Sequence, residues 1–502
     1  MINLPTRRQF FKTAAVAGAT AGLGDFSFLR CLPRVAAEEV KLDSKMVRFH
    51  PDIEPLVRLL EETPRERLLE EAATRIHHGL TYRELLAALL LAGVRNIQPR
   101  PVGFKFHAVL VVNSAHLASI SSPDSDRWLP IFWALDYFKS AQAQDVREGD
   151  WTMAATDESK VPAPQKAKQA FIQAMDNWDE TGADAAVSGL ARTTGADELF
   201  EIFCRYGARD FREIGHKAIY VANAWRTLQT IGWQHAEPVL RSLAYGLLDR
   251  GGDENPAKAD LPADRPWRHN LELAKRIRPE WQAGEASRAA SLELLRAMRE
   301  TSPSEASEKV LELLNRGIAP QSIWDGLFNA AGELLMRRPG LLSLHALTST
   351  NAIHFAFQTT GVDETRRLLL LQNAAFLSLF RTDGGKMKPG QIDQLQPHEN
   401  GAPTLETIFA EISHDRMSAA RQVLSYLKQN PHPQNFINGA RRLVFLKGNN
   451  SDDYKFSSAV LEDYQHLSAE WRDRFLAASV FNLRGSGDKD NELVKRTRAA
   501  LS

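Results

Sequence analysis

Residues 107–116 read HAVLVVNSAH and residues 345–354 read HALTSTNAIH, with His, Ala, Asn and His at the same four positions. Residues 217–226, KAIYVANAWR, and residues 457–466, SSAVLEDYQH, align with them in the same register. The last alignment is supported by its flank, because FKFHAVLVVNSAH from residue 104 matches YKFSSAVLEDYQH from residue 454. Four related segments in one chain predict an internal structural repeat.

The sequence around each segment predicts a unit of four helices in which the repeated segment is the third. Apolar residues recur at three- and four-residue spacing, as in LLEEAATRI at 68–76, and Thr81 with Glu84 forms a capping box. No alternating strand pattern is present. We therefore expect an all-α fold in which four quasi-repeated multi-helix units form a curved or closed α-array. The predicted units, with a period of about 115 residues, are 65–140, 181–248, 305–380 and 417–484.

The N-terminus resembles a twin-arginine export signal. Residues 6–12 read TRRQFFK, and an Ala- and Gly-rich apolar stretch follows. Small residues at 35–37 offer a cleavage site, so we expect a signal peptide at 1–37 and an N-terminal segment at 38–64. The resemblance implies that the twin-arginine export machinery is a partner and that the mature chain is periplasmic or otherwise exported.

Composition and the absence of common motifs restrict the function classes. Lys and Arg number 62 and so do Asp and Glu, so the basic excess typical of nucleic-acid binding is absent. The mature chain has no apolar run of about 18 residues, so no membrane span is predicted. The mature chain keeps one cysteine, Cys204, which excludes an intrachain disulfide. Zinc-protease, Cys-x-x-Cys, phosphate-loop and nucleophile-elbow motifs are missing. The expected partner is therefore a small-molecule substrate.

The repeated histidines have two interpretations. His107 and His116 lie nine residues apart on opposite faces of a helix, so one helix cannot direct both at one metal. The polar residues at the middle position (Asn113, Asn223, Asn351 and Asp463) are expected to superimpose and to bridge neighbouring helices. Either the histidines share this packing role, or the units direct equivalent faces at a central cavity where His107 and His345 converge.

A second pattern suggests metal binding. Residues 213–216, EIGH, and 411–414, EISH, are Glu-x-x-His motifs, which place both side chains on one face of a helix. His216 stands where the aligned segments have Phe106, Leu344 and Phe456, so a polar group replaces an apolar one. The candidate metal ligands are Glu213, His216, His116 and His354. The sequence does not identify the cofactor: a metal ion such as iron and no cofactor at all are both open.

The segments FKFHAVLVVNSAH, EIGHKAIYVANAWRTL and LLSLHALTSTNAIH resemble blocks of the questin oxidase-like family. The blocks are short and scattered over residues 65 to 380. The resemblance implies a helical fold, ring-opening oxygenase chemistry on aromatic polyketides, and site roles for His107, His216 and His345. The sequence departs from the family at residues 224–226, AWR, where the family tends to have an acidic residue.

The expected function is an exported oxidoreductase, such as an oxygenase acting on an aromatic or other small organic substrate in a His-lined cavity. One histidine would act as a general base, and Lys217 or Arg226 would stabilise the anion formed. The alternative is a non-catalytic helical-repeat binding or scaffold protein whose histidines only pack.

Overall fold

Capping side chains mark where several helices begin. The Thr81 hydroxyl accepts a hydrogen bond from the Glu84 amide, and the Glu84 carboxylate accepts one from the Thr81 amide, so the predicted capping box is confirmed. Ser302 and Glu305 form a second capping box. These side chains satisfy amide groups that have no partner within their own helix, which defines the helix boundaries.

The computed structural model describes residues 45–252, 254–382, 385–399 and 403–502. The chain divides into two units, Met1–Met46 and Val47–Ser502. The predicted signal peptide lies outside the described residues. In the described part of Val47–Ser502 the regular structure is helical and contains no strand, so the all-α prediction is confirmed.

Sixteen of the helices form four successive groups of four. The first group is α2 (Arg65–His77), α3 (Tyr82–Asn96), α4 (His107–Ile120) and α5 (Leu129–Glu148). The second is α7 (Glu180–Thr193), α8 (Ala196–Gly207), α9 (His216–Ile231) and α10 (Ala236–Leu247). The third is α13 (Pro303–Asn315), α14 (Pro320–Arg337), α15 (Leu341–Thr359) and α16 (Asp363–Thr382). The fourth is α18 (Arg416–Gln429), α19 (Gln434–Lys447), α20 (Ser451–Asp463) and α21 (Ala469–Ser479).

The other described helices lie before, between and after these groups. They are α1 (Glu54–Glu62), α6 (Pro164–Asp176), α11 (Arg265–Lys275), α12 (Arg288–Met298), α17 (Leu405–Ile412) and α22 (Leu493–Leu501). α22 packs against α2, and Arg496 of α22 forms an ion pair with Glu70 of α2 at 2.7 Å. The last described helix therefore contacts the first group.

The third helix of each group, which we call a signature helix, lies at the centre. α4 packs against α9 and α20, and α15 packs against the same two helices, so the four signature helices form a closed cycle. Neighbouring helices of each group cover their outer faces. α4 is apolar nearly all round, as expected of a helix with neighbours on every side. This packing is consistent with the predicted array of four units.

Candidate functional site

The N-terminal ends of the signature helices carry a cluster of three histidines and a lysine. His107 and His216 are the first residues of α4 and α9, and His345 and Lys455 are the fifth residues of α15 and α20. Because these four side chains meet, the four helices begin at the same end of the cycle. Their dipoles therefore place partial positive charge at the cluster.

One ring nitrogen from each of His107, His216 and His345 lies within 4.8 Å of the other two. The Nε2 atoms of His107 and His216 are 2.8 Å apart. The His345 ring centroid lies 4.3 Å from that of His216 and 6.4 Å from that of His107. His216 and His345 are buried and His107 is partly exposed. We call these three residues the histidine cluster. The three imidazoles could therefore each offer a nitrogen to one metal ion.

Backbone carbonyls set the tautomers of two of these imidazoles. His216 Nδ1 donates to the Glu213 carbonyl at 2.6 Å, and His345 Nδ1 donates to the Leu341 carbonyl at 2.8 Å. A neutral imidazole with a protonated Nδ1 has a free electron pair on Nε2. His107 Nε2 must then donate to His216 Nε2. This outer shell of carbonyl acceptors is the arrangement that fixes metal-binding histidines.

Lys455 and Asp452 adjoin the histidine cluster. Lys455 Nζ lies 3.4 Å from His345 Nε2 and 3.0 Å from an Asp452 carboxylate oxygen. Burial lowers the pKa of Lys455, although Asp452 opposes the shift. Burial first, and then the Lys455 charge, holds the pKa of His345 well below its usual value. The pKa values of His107 and His216 are likewise well below the ordinary value, chiefly through burial. All three imidazoles are therefore neutral near pH 7, as metal ligands must be.

A left-handed turn positions His216. Glu213, Ile214 and Gly215 have φ values of 56°, 44° and 80°. A Cβ on Gly215 would lie 2.7 Å from the Ser349 Cβ, so only glycine fits there. Left-handed backbone at Glu213 and Ile214 costs about 1–3 kcal/mol at each residue. The turn directs the Glu213 carbonyl at the His216 ring, so the strained backbone supports the cluster.

The Glu-x-x-His interpretation was wrong about the local structure. Glu213 precedes α9 and lies in the turn, so it does not share a helical face with His216. It contacts the cluster through its backbone carbonyl rather than its carboxylate. Similarly, α17 ends at Ile412, so His414 lies beyond the helix that carries Glu411.

The two predicted anion-stabilising residues lie outside the histidine cluster. Lys217 is buried and donates to the Asp210 carboxylate at 2.9 Å and to the Asp249 carbonyl at 2.5 Å. Arg226 donates to both Glu462 carboxylate oxygens, at 3.1 and 3.0 Å. The cation next to the imidazoles is Lys455.

The other two predicted metal ligands also lie outside the cluster, toward the opposite ends of their helices. His116 Nδ1 is hydrogen-bonded to the Tyr82 hydroxyl at 3.0 Å. The His354 ring packs edge-on against Trp324, with centroids 4.7 Å apart, and burial lowers its pKa to about 3. Nine residues of helix separate each from His107 or His345, which is about 13.5 Å.

A layer of polar side chains crosses the signature helices between these two ends. Asn113 Nδ2 donates to Asn223 Oδ1 at 3.4 Å, and Asn351 Nδ2 donates to Asp463 Oδ1 at 2.6 Å. The four residues at the aligned position thus meet in two pairs, each between neighbouring helices of the cycle. Lys455 and these three asparagines line a cavity of about 10 Å³, which is room for about one water molecule. An organic substrate does not fit in this space.

Sequence reasoning missed Lys455 and Asp452. The sequence feature that could have pointed to Lys455 is its alignment with Lys105, in the flanking tripeptides FKF (104–106) and YKF (454–456). Lys105 instead forms ion pairs with Asp145 and Glu148, at 2.8 and 2.9 Å. The same aligned position therefore serves the histidine cluster in one group and an outer helix in another.

Comparison with known proteins adds no assignment. No family model, curated protein or solved structure matches the chain at a significant level. Among the described helices, none has both the length and the apolar character required to cross a bilayer.

Proposed function

We propose that the protein is an exported metal-dependent oxidoreductase whose metal ion is bound by His107, His216 and His345. The observation that carries the proposal is the convergence of three neutral imidazoles, with one nitrogen of each within 4.8 Å of the others. Imidazole nitrogens bind zinc, copper, iron and nickel at about 2.0–2.1 Å, which sets the nitrogens about 3.3 Å apart in a tetrahedral site. Movements of about 1–1.5 Å in ring position would bring the cluster to that geometry.

The chain's own residues support this chemistry. The Glu213 and Leu341 carbonyls hold two rings with Nε2 directed inward. His107 Nε2 can act as a ligand once its proton moves to Nδ1, a change of tautomer that leaves the imidazole neutral. Lys455 supplies a positive charge and a transferable proton at the site, and Asp452 balances that charge. A bound redox metal would supply electron transfer to or from the substrate.

The oxidoreductase class rests on the resemblance of the three sequence blocks to the questin oxidase-like family. The three imidazoles and the lowered pKa of Lys455 also suit a metal-free general base with a cation beside it. A non-catalytic scaffold is the remaining alternative, since carbonyl and carboxylate partners also stabilise these buried groups without a ligand.

Metal analysis of the purified mature chain tests the proposal. We expect about one equivalent of iron or copper per chain, because these metals suit imidazole ligands and change oxidation state, whereas zinc does not. Zinc alone would contradict the oxidoreductase assignment. No bound metal, and no binding of added metal, would contradict the metal centre and favour the general base.

Export is tested separately. The motif TRRQFFK supports delivery by the twin-arginine machinery, so Arg7→Lys with Arg8→Lys should retain the chain in the cytoplasm. Fractionation of cells that express the full chain measures this, with the single change Lys12→Arg as a control that keeps the arginine pair. Unchanged export of the double variant would contradict this part of the proposal.

A further inference from the structure

A second cavity, of about 170 Å³, lies between α4, α19 and α20. Arg441, Glu462, Ser457, Ser458 and Leu117 are among its lining residues. It has room for several water molecules or for one small organic molecule. Leu117 and Ser458 also line the cavity that Lys455 lines, so the two spaces are neighbours along the same helices.

Arg441 is a cation without a partner in this cavity. Its side chain is only partly exposed, and among the described residues it has neither a hydrogen-bond acceptor nor a carboxylate within ion-pair distance. Burial lowers its pKa, and the nearby Glu462 charge opposes the shift. A guanidinium has five N–H donors and stays charged in proteins, so the partly exposed Arg441 has donors available to a ligand in the cavity.

Glu462 does not neutralise Arg441, because another arginine already uses its charge. Both Glu462 oxygens accept from Arg226 Nη2, and one also accepts from Asn351 Nδ2 at 3.0 Å. The adjacent Asp463 is buried, and burial raises its pKa well above the ordinary value, which favours its neutral form. The charges of Arg441 and Glu462, which line the cavity, sum to zero, but the pairing of Glu462 with Arg226 leaves Arg441 without a counter-charge of its own.

We infer that this cavity binds the carboxylate group of a small organic acid, with Arg441 as its anchor. A planar carboxylate matches the paired N–H donors of a guanidinium. Ser458 is three residues from Lys455, about 4.5 Å along the helix axis. An anchored molecule would stay within the 170 Å³ cavity, because the adjoining space that Lys455 lines has room for only about one water molecule. The identification of this acid as the substrate rests on the proposed function, whereas its binding does not.

Benzoate and its uncharged analogue benzamide test the inference by calorimetry on the metal-free full chain. We expect benzoate to bind with a Kd below about 1 mM and benzamide to bind at least tenfold more weakly. Arg441→Ala should weaken benzoate binding at least tenfold, and Arg441→Gln should do the same if the alanine variant is unstable. Arg442→Ala is the matched control, because the adjacent Arg442 is exposed and pairs with Asp126 at 3.2 Å.

Three results would overturn the inference: no saturable benzoate binding, equal binding of benzamide, or binding that Arg441→Ala leaves unchanged. Because the assay contains no metal, failure of the metal centre leaves its outcome unaffected. Benzoate binding to a chain that binds no metal would support the carboxylate site and contradict the metal-dependent function. Metal binding without benzoate binding would overturn the carboxylate site alone.

Discussion

His216→Phe separates the proposed role of the histidine cluster in metal binding from its role in folding. The aligned residues in the other groups are Phe106, Leu344 and Phe456, all buried. The fold therefore accepts an apolar side chain at this position in three of its four groups. We expect His216→Phe to fold and to lose metal affinity.

The effect on stability follows from the contacts of the ring. The variant loses the hydrogen bond to the Glu213 carbonyl, which contributes about 1 kcal/mol, and leaves His107 Nε2 without its acceptor, which costs about 1–3 kcal/mol. Burial of the larger apolar ring offsets about 1.5–3 kcal/mol. The free energy of unfolding should therefore change by no more than about 2.5 kcal/mol. His216→Leu is the second variant, since Gly103 lies against the ring and limits its size.

The effect on metal affinity should be much larger. Loss of an outer partner of a metal ligand typically costs 10- to 100-fold in affinity, so loss of a ligand itself should cost at least about 100-fold. Competition with a chromophoric chelator measures the affinity, and urea unfolding measures the stability of the same samples.

His354→Phe is the matched control, because it makes the same change at a buried histidine of a signature helix outside the cluster. Its ring packs against Trp324 and Phe328, which also favour an apolar replacement. We expect its metal affinity to stay within about twofold of the wild-type value. Equal losses in both variants, or no loss in His216→Phe and His216→Leu, would refute the assignment of His216 as a ligand.

Three further results are expected. The pKa of each clustered imidazole is lower in the folded chain than in the unfolded chain, so below about pH 6.5 the unfolded chain binds more protons than the folded chain. The free energy of unfolding should therefore be highest above that pH and decrease below it. In urea unfolding across this range, His345→Leu should reduce the slope by about 1.4 kcal/mol per pH unit, and an unchanged slope would contradict the burial argument. Lys455→Met removes a cation 3.4 Å from His345 Nε2 that would repel a metal ion, so chelator competition should show at least about tenfold tighter metal binding. Weaker binding would mean that Lys455 stabilises the bound metal. Burial raises the pKa of Asp463, so the contribution of its protonated form to stability decreases as the pH rises above about 3.8. Asp463→Asn should therefore be more stable than the wild type by at least about 1 kcal/mol at pH 8 and equally stable at pH 3. A variant that is less stable at pH 8 would show that the fold needs the ionised form.

The fold class could be predicted because it depends on local patterns. Apolar spacing and the Thr81 capping box determine helices within a few residues of sequence, and both were correct. The six helices outside the four groups were not part of the predicted repeat. They have no aligned copies, so the repeat pattern contains no information about them.

The composition of the histidine cluster depends on how the helices are shifted along one another. His107 and His345 occupy the first aligned position, but His216 lies one residue before it and Lys455 two residues before it. Side-chain packing between helices determines how far each helix is shifted along its neighbours. An alignment of the four segments gives no information on these shifts. Lys455 was therefore missed, although its match with Lys105 was visible.

Backbone conformation explains the error at Glu213. Spacing of three residues suggests a shared helical face only where the chain is helical throughout. Gly215 has a left-handed backbone conformation and α9 begins only after it, so Glu213 and His216 do not lie on one helix. Gly215 is visible in the sequence, but the steric contact with Ser349 that requires glycine there depends on the packed structure.

The most direct test is an anomalous diffraction map of crystals of the protein soaked with iron or copper. The account predicts a single strong peak about 2.0–2.1 Å from one nitrogen each of His107, His216 and His345, with Lys455 outside the ligand sphere. The peak should be absent from crystals of His216→Phe and present in those of His354→Phe. A wild-type map without density at the three imidazoles, or with the metal bound elsewhere, would contradict the central claim.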